Sequence, residues 1–187
     1  SLQSELWIFD RSQMLMMNER ISTARRGEGN FPLAVECLLG EDAAQTTAAY
    51  FDLRWHSAQA PLAYSAKNKN FSFHIGRESE PEFFGCLFRA KKNVTLSLPS
   101  GRLSKKLERA LCQALERGLL VTVYANAQSS DAPSLRRLRR LTEAGLTLKI
   151  CGQRLGSEFA IADGQSVFMG SLPTSWKPWR SAAGPAF

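Results

Sequence analysis

Apolar and polar residues alternate with two different periods along this chain. The stretch NVTLSLP, residues 93–99, alternates with a period of two, as a β-strand with one buried face does. In LSKKLERALCQALERGL, residues 103–119, apolar residues recur every three or four positions, as they do on one face of an α-helix. Because segments of these two kinds follow one another, the pattern predicts an α/β fold: a mixed β-sheet flanked by helices on both faces.

The helical spacing also predicts three further helices. They lie at residues 41–55, 81–92 and 132–144. In the last of these, Leu135, Leu138 and Leu141 fall on one face, which we expect to be buried. Ser104 is suited to cap the start of the helix that follows it, and Gly118 is suited to follow that helix's last turn.

One octapeptide pattern occurs twice. QSELWIFD occupies residues 3–10 and GSEFAIAD occupies residues 156–163, so the second copy is numbered 153 higher throughout. Both copies contain Ser-Glu, four mostly apolar residues and Asp. Each copy predicts a buried strand that ends in a turn at its aspartate, followed by a second strand.

Charge is distributed unevenly. The chain has a net charge of +7, but residues 1–60 contain five Lys/Arg and eight Asp/Glu, whereas the remainder contains nineteen and nine. The second part therefore carries +10, which indicates a surface that faces a polyanion. Its densest basic segment, with one nearby lysine pair, supplies the candidate phosphate-binding residues Arg136, Arg137, Arg139, Arg140, Lys105 and Lys106. On a helix the four arginines occupy the face opposite the leucines, and the alternative is that this face is only solvated.

Aromatic and cysteine residues add little to this picture. Trp176 and Trp179 could stack on bases or contact a membrane interface, but packing of the C-terminal tail onto the domain is the simpler interpretation. The four cysteines lie far apart without a Cys-x-x-Cys pair, so we expect reduced thiols in a cytoplasmic protein, no metal site and no cofactor. No apolar run approaches the ~20 residues that span a bilayer, and no signal peptide is evident.

Residues 81–171 contain an ordered series of motifs. RAKKNVTLSLP, ALERGLLVTVYA, LRRLTEAGLTLKIC and FAIADGQSVFMGS together resemble a lobe of the phospholipase D superfamily. FPLAVECLLGEDAAQTTAAYFDLRW, residues 31–55, resembles the end of another such lobe. The resemblance implies that residues 1–56 are the C-terminal part of a first lobe, 57–74 a linker, and 75–187 most of a second lobe. We expect the two parts to pack as one compact unit.

The resemblance identifies the repeated octapeptide as a degenerate His-x-Lys-(x)4-Asp motif, of which that family uses two copies. The corresponding positions here, with the serine of a Gly-Ser-x-Asn element, are Gln3, Glu5, Asp10, Gly156, Glu158, Asp163 and Ser171. In the family, one histidine attacks phosphorus, the other protonates the leaving oxygen, and the lysines hold phosphoryl oxygens. Gln and Gly cannot replace histidine, and Glu reverses the charge of lysine, so we expect no catalysis by this mechanism.

The acidic motif residues leave two interpretations open. Glu5, Asp10, Glu158 and Asp163 could converge as a carboxylate metal site. Alternatively, each aspartate caps the turn after its strand, and each glutamate is solvated or paired with an arginine such as Arg11 or Arg154. We favour the second.

These observations predict a non-catalytic phospholipase D-like domain that binds DNA or RNA, as part of a larger nucleic-acid-processing protein such as a helicase or restriction-type assembly. One alternative is a protein–protein interaction or dimerisation module, and a homodimer is compatible with either. A weaker alternative is a phosphodiesterase or nuclease with displaced catalytic residues. A membrane-surface partner is less favoured than nucleic acid.

Overall fold

A computed structural model gives the fold. It describes residues 5–17, 36–56, 64–67, 70–75, 79–126, 132–152, 155, 158–170 and 185–186. Within these residues the helices are α1 Glu41–His56, α2 Ser79–Arg89, α3 Lys105–Glu116 and α4 Ala132–Glu143. The strands are β1 Glu5–Phe9, β2 Gln13–Met17, β3 Glu36–Leu39, β4 Tyr64–Lys67, β5 Ser72–Ile75, β6 Asn93–Leu98, β7 Leu120–Asn126, β8 Thr147–Cys151, β9 Glu158–Ala162, β10 Ser166–Gly170 and β11 Pro185–Ala186.

The strands form two sheets. A three-stranded antiparallel sheet has the order β1-β2-β3, and an eight-stranded sheet has the order β4-β5-β11-β10-β9-β6-β7-β8. In the larger sheet β6, β7 and β8 are parallel and are connected through α3 and α4, whereas the other neighbouring strands are antiparallel. The sheet is therefore mixed: its strands are parallel where helices connect them and antiparallel elsewhere.

One face of the larger sheet carries α2, α3 and α4. α2 contacts β9 and β10, α3 contacts β7 and both neighbouring helices, and α4 contacts β8. The main hydrophobic core lies between these helices and the sheet, and it includes Phe83, Leu96, Leu107, Val123 and Leu138. These residues come from the apolar stripes of the helices and from alternate strand positions, so burial of those stripes drives the packing.

The opposite face of the same sheet meets α1. The Tyr50 ring of α1 lies 5.4 Å from the Phe73 ring of β5, and Phe73 is completely buried. Successive strand residues point to opposite faces, and His74 accordingly lies on the α2 side, near Glu82. α1 therefore lies on the face opposite α2, α3 and α4, over β4 and β5, and the predicted α/β fold class is confirmed.

The prediction of a linker over residues 57–74 is wrong where the chain forms β4 and β5. These strands form an antiparallel hairpin in the larger sheet. Phe71 packs against the small core of Met14, Ala43 and Ala44, and Phe73 packs against α1. The polar composition of this segment predicts a linker. Within it, however, apolar and polar residues alternate in FSFHI, so Phe71 and Phe73 lie on one face of the strand, against α1. The lobe boundaries at residues 56 and 75 stay predictions.

The predicted helix ends are observed at α3. Ser104 Oγ accepts a hydrogen bond from the Leu107 backbone N–H at 3.1 Å, and Gly118 follows the helix with a φ of 81°. The expectation for α4 is partly wrong, because Leu138 and Leu141 are buried whereas Leu135 is 51% exposed. The buried stripe of α4 instead includes Ser134, whose hydroxyl accepts a hydrogen bond from the Leu103 backbone N–H at 2.9 Å.

Cys86, Cys112 and Cys151 are free thiols, and burial raises the pKa of Cys86. A thiol held in its neutral form is a poor nucleophile and metal ligand.

The described helices include none that combines the length and apolar character needed to cross a membrane.

Candidate functional site

The two octapeptides form the same hairpin. In the first copy Glu5 pairs with Met17 and Phe9 pairs with Gln13. In the second copy Glu158 pairs with Gly170 and Ala162 pairs with Ser166, which is the same register 153 residues later. Both hairpins continue into a third antiparallel strand, β3 or β11. The sequence repeat is therefore a repeat of backbone structure, and the predicted strand–turn–strand is observed at both copies.

The turns of the two hairpins also match. Asp10 and Arg11 have φ values of 48° and 55°, and Asp163 and Gly164 have φ values of 56° and 66°. Aspartate tolerates this left-handed conformation better than most residues because its short side chain can bond locally. The need for a left-handed residue explains an aspartate at this position without any catalytic role.

The Asp163 carboxylate joins the second hairpin to the start of β6. It accepts hydrogen bonds from the backbone N–H groups of Lys91 at 2.9 Å, Lys92 at 2.8 Å and Asn93 at 3.0 Å. These bonds, led by that from Asn93, lower the pKa of Asp163. Asp163 is thus an ionised structural carboxylate that satisfies backbone donors of Asn93 in β6 and of the two residues before it.

The first copy of the aspartate has different surroundings. Asp10 is exposed, and the adjacent Arg11 forms an ion pair with Asp52 of α1 at 2.7 Å. The turn and α1 border a shallow groove of about 370 Å³ lined by Ile8, Asp10, Arg11, Ala48, Phe51 and Asp52. Arg11 therefore binds α1, and within the described ranges Asp163, unlike Asp10, accepts hydrogen bonds from backbone donors of another segment.

Glu158 lies at the opposite end of β9 from Asp163. Burial alternates along β9, so Glu158 shares the face of Ala160 and Ala162, which belong to the core beneath the helices. Its exposed fraction is 2%. The expectation that this glutamate is solvated is wrong, because strand alternation directs it inward. Its expected partner Arg154 lies outside the described residues.

His74 belongs to the same row of the sheet as Glu158, a position that the sequence analysis did not predict. His74 pairs with Ala186, Ala186 with Gly170, and Gly170 with Glu158. Three strand spacings of about 4.8 Å place the Cα atoms of His74 and Glu158 roughly 14 Å apart. His74 is 1% exposed, and its Nδ1 is hydrogen-bonded to Ser65 Oγ at 2.9 Å. The alternation in FSFHI was the available signal for this strand.

The acidic motif residues of the two copies belong to hairpins of different sheets. Glu5 and Asp10 belong to the three-stranded sheet, whereas Glu158 and Asp163 belong to the larger sheet and lie at opposite ends of one strand. Within the described part of the chain, no group of three or more His, Cys, Asp or Glu residues could hold a metal ion. Gln3, Gly156, Ser171, Trp176 and Trp179 lie outside the described residues.

The arginines of α4 do not form one free face. Arg137 is half-buried, donates to the Leu103 carbonyl at 2.6 Å, and forms an ion pair with Glu108 of α3 at 3.3 Å. Arg140 binds the other oxygen of Glu108 at 2.8 Å. The expectation that Arg137 lies opposite the leucines is therefore wrong. Arg137 directly precedes Leu138 in the helix, and its side chain faces α3.

The other predicted basic residues divide into two groups. Arg139 pairs with Glu143 at 3.0 Å, and Lys106 pairs with Glu80 at 2.6 Å while lying 4.5 Å from the Phe84 ring centroid. Lys105 and Arg136 are exposed and form no ion pair with another described residue. Two of the six predicted cations thus keep an uncompensated charge.

The sequence matches no protein-family model. It matches no curated protein either. The fold, however, resembles solved structures. It superposes on phosphatidylserine synthase from Haemophilus influenzae with a TM-score of 0.70 at 14% identity, covering 96% of this chain and 55% of that protein.

Two further structures extend the comparison. Nuc from Salmonella typhimurium, a phospholipase D family member, gives a TM-score of 0.51 at 14% identity, covering 61% of this chain and 78% of that protein. Polyphosphate kinase from Porphyromonas gingivalis gives a TM-score of 0.52 at 11% identity, covering 94% of this chain and 29% of that protein. This chain thus spans about half the length of the synthase and less of the kinase. At these identities the similarity concerns the fold, and the fold of this chain is phospholipase D-like.

Proposed function

We propose that this chain is a non-catalytic phospholipase D-like domain that binds the phosphodiester backbone of DNA or RNA within a larger nucleic-acid-processing protein. The observation that carries the proposal is the charge of residues 61–187, nineteen Lys/Arg against nine Asp/Glu. Lys105 and Arg136 are exposed there without a carboxylate partner among the described residues. Phosphate-binding surfaces need positive charge that the protein itself does not neutralise.

The absence of catalysis is proposed from the second motif copy. Glu158 occupies the position that the resemblance assigns to a phosphate-binding lysine, and it is 2% exposed. A carboxylate repels a phosphoryl group, and a buried side chain cannot reach a substrate in solution. His74 is also buried, so it does not supply an accessible replacement nucleophile. These features also disfavour the alternative of displaced catalytic residues.

The names of the similar structures agree with a phosphate-containing ligand but not with one class of it. Phosphatidylserine and polyphosphate both contain phosphate, as nucleic acids do. Nucleic acid is proposed here because the exposed residues of α3 are Lys105, Lys106, Arg109, Gln113 and Glu116, which are all polar. A membrane-binding surface would present several apolar side chains beside its cations, whereas Leu135 is the one large apolar side chain exposed on α3 and α4.

Fluorescence anisotropy with a labelled 20-base-pair duplex and a labelled 20-nucleotide strand tests the proposal. We expect sequence-indifferent binding that weakens linearly on a log–log plot as salt rises. The slope is roughly −0.9 per phosphate contact for duplex and about −0.7 for a single strand. Polyphosphate and vesicles containing phosphatidylserine serve as competitors that distinguish a nucleic acid from other anions.

A second candidate function is an interaction or dimerisation module, and the C-terminal half of α1 favours it. Phe51 is 46% exposed, Leu53 is 39% exposed, and Trp55 is 88% exposed. Large apolar side chains grouped on one helix are typical of protein interfaces. Absence of DNA or RNA binding at 50 mM salt, together with a dimeric mass in sedimentation, would replace the proposed function with this one.

A further inference from the structure

Internal ion pairs divide the cations of the α3–α4 region into compensated and uncompensated ones. Glu108 compensates Arg137 and Arg140, Glu80 compensates Lys106, and Glu143 compensates Arg139. An arginine that already forms an ion pair with a carboxylate must break that ion pair, or divide its N–H donors between the carboxylate and the ligand, in order to bind a phosphate. The residues that dominate the basic sequence run SLRRLRRL are thus less suited to a ligand than their spacing implies.

Four other cations in this region have side chains without a partner among the described residues. They are Arg102, Lys105, Arg109 and Arg136, and all four are exposed. Their side chains form no ion pair or hydrogen bond with another residue of the described ranges. The bond from Arg102 to Ser100 Oγ at 3.3 Å is donated by the Arg102 backbone N–H. We call this group the α3–α4 cationic cluster.

Local contacts bring these residues to one part of the surface. The Leu103 backbone N–H donates to Ser134 Oγ at 2.9 Å, and Arg137 donates to the Leu103 carbonyl at 2.6 Å. These two bonds fasten the segment before α3 to the first turns of α4, so Arg102 and Arg136 flank one junction. Lys105 and Arg109 follow on α3, one helical turn or about 6 Å apart.

The backbone adds to the positive potential of this junction. The cluster lies around the start of α3 and the first half of α4, where the partial positive ends of both helix dipoles lie. Ser104 Oγ caps the Leu107 N–H, so the dipole end itself is not a separate binding site. It strengthens the field that the four side chains produce.

We infer that the α3–α4 cationic cluster is the surface that holds the phosphodiester backbone, with Arg102, Lys105, Arg109 and Arg136 each contacting phosphate oxygens. This inference rests on the proposed nucleic-acid binding and names its residues. It departs from the sequence-based candidates, because it replaces Arg137, Arg139, Arg140 and Lys106 with Arg102 and Arg109.

Two variants of equal charge test the inference. The cluster variant carries Arg102→Ala, Lys105→Ala, Arg109→Ala and Arg136→Ala. The control variant carries Lys91→Ala, Lys92→Ala, Arg139→Ala and Lys149→Ala, which are also exposed. Lys91 and Lys92 precede β6, about 20 Å along that strand from the cluster. Each variant removes four positive charges from a net charge of +7, so a difference between them reports position and not total charge.

In duplex anisotropy titrations, the cluster variant should bind more weakly, and its log–log salt slope should be shallower by about three to four units. The control variant should stay within about one unit of wild type. A third variant, Arg102→Lys, Arg109→Lys and Arg136→Lys, should keep the wild-type slope because it keeps the charge. Circular dichroism verifies that each variant is folded, and this third variant still tests the inference if the alanine variant is not.

Equal losses in the cluster and control variants, or a lysine variant that loses the slope, would overturn the inference and leave the proposed function standing. Wild-type protein that binds no nucleic acid would overturn both. Retention on phosphatidylserine vesicles that depends on the cluster, without nucleic-acid binding, would assign the surface to a membrane and contradict both.

Discussion

At the residue scale, the two motif aspartates share a backbone conformation but differ in what their carboxylates do. Both stand at the first position of the turn with positive φ. Asp163 accepts three backbone N–H bonds from Lys91, Lys92 and Asn93, whereas Asp10 is exposed beside an Arg11–Asp52 ion pair. The octapeptide pattern was sufficient to predict the turn. It was not sufficient to predict the partners of Asp163, because they come from a strand about 70 residues away in the sequence.

Asp163→Asn tests this structural role, with Asp10→Asn as its matched control. The neutral amide offers one acceptor oxygen in place of two, so we expect Asp163→Asn to lower the Tm by a few degrees at pH 7. Asp10→Asn should leave the Tm nearly unchanged, since its carboxylate is exposed.

The pH dependence follows from the lowered pKa of Asp163, which its backbone hydrogen bonds cause. A depressed folded-state pKa contributes stability above the ordinary value of about 3.9, and that contribution is lost as pH falls through the folded-state value. The Tm difference between wild type and Asp163→Asn should therefore be full at pH 7 and shrink in acid below pH ~4. A difference independent of pH would show that the charge of Asp163 has no part in it.

At the element scale, α4 shows what periodicity predicts well and what it leaves open. The 3.6-residue period gave the helix and two of its buried leucines, Leu138 and Leu141. It misplaced Leu135 and Arg137, because the direction of the buried stripe depends on where α3 lies. The spacing of apolar residues predicts how wide the buried stripe of a helix is. Which residues beside that stripe are also covered depends on the position of α3 and of its Glu108 carboxylate.

Leu138→Ala and Leu135→Ala test this orientation within one helix and one residue type. Leu138 is 1% exposed in the main core, so its truncation should lower the free energy of unfolding by about 2–5 kcal/mol. Leu135 is 51% exposed, so its truncation should cost under about 0.5 kcal/mol. Urea denaturation of the two variants provides the comparison. Equal losses would mean that α4 is rotated relative to the orientation described here.

At the scale of the whole molecule, the repeated hairpin and the charge asymmetry are the two features that the sequence shows directly. The fold class and both hairpins were predictable because they depend on local alternation. The packing of α1 on β4 and β5 was not predictable, because it depends on Phe71 and Phe73 in a segment whose composition is that of a linker. The burial of Glu158 also needed the structure, since one residue of register decides which face a strand side chain occupies.

The proposed function requires that this fold hold a phosphodiester backbone without cleaving it. An end-labelled duplex incubated with saturating protein at 50 mM salt, with and without divalent cations, tests both parts in one reaction. The bound fraction is read by filter retention, and the length of the recovered DNA is read on a denaturing gel. We predict that the DNA is bound and recovered at full length. Shortened DNA that accumulates with protein, and is no longer produced by Glu158→Gln or by a His74→Gln variant, would contradict the proposed function.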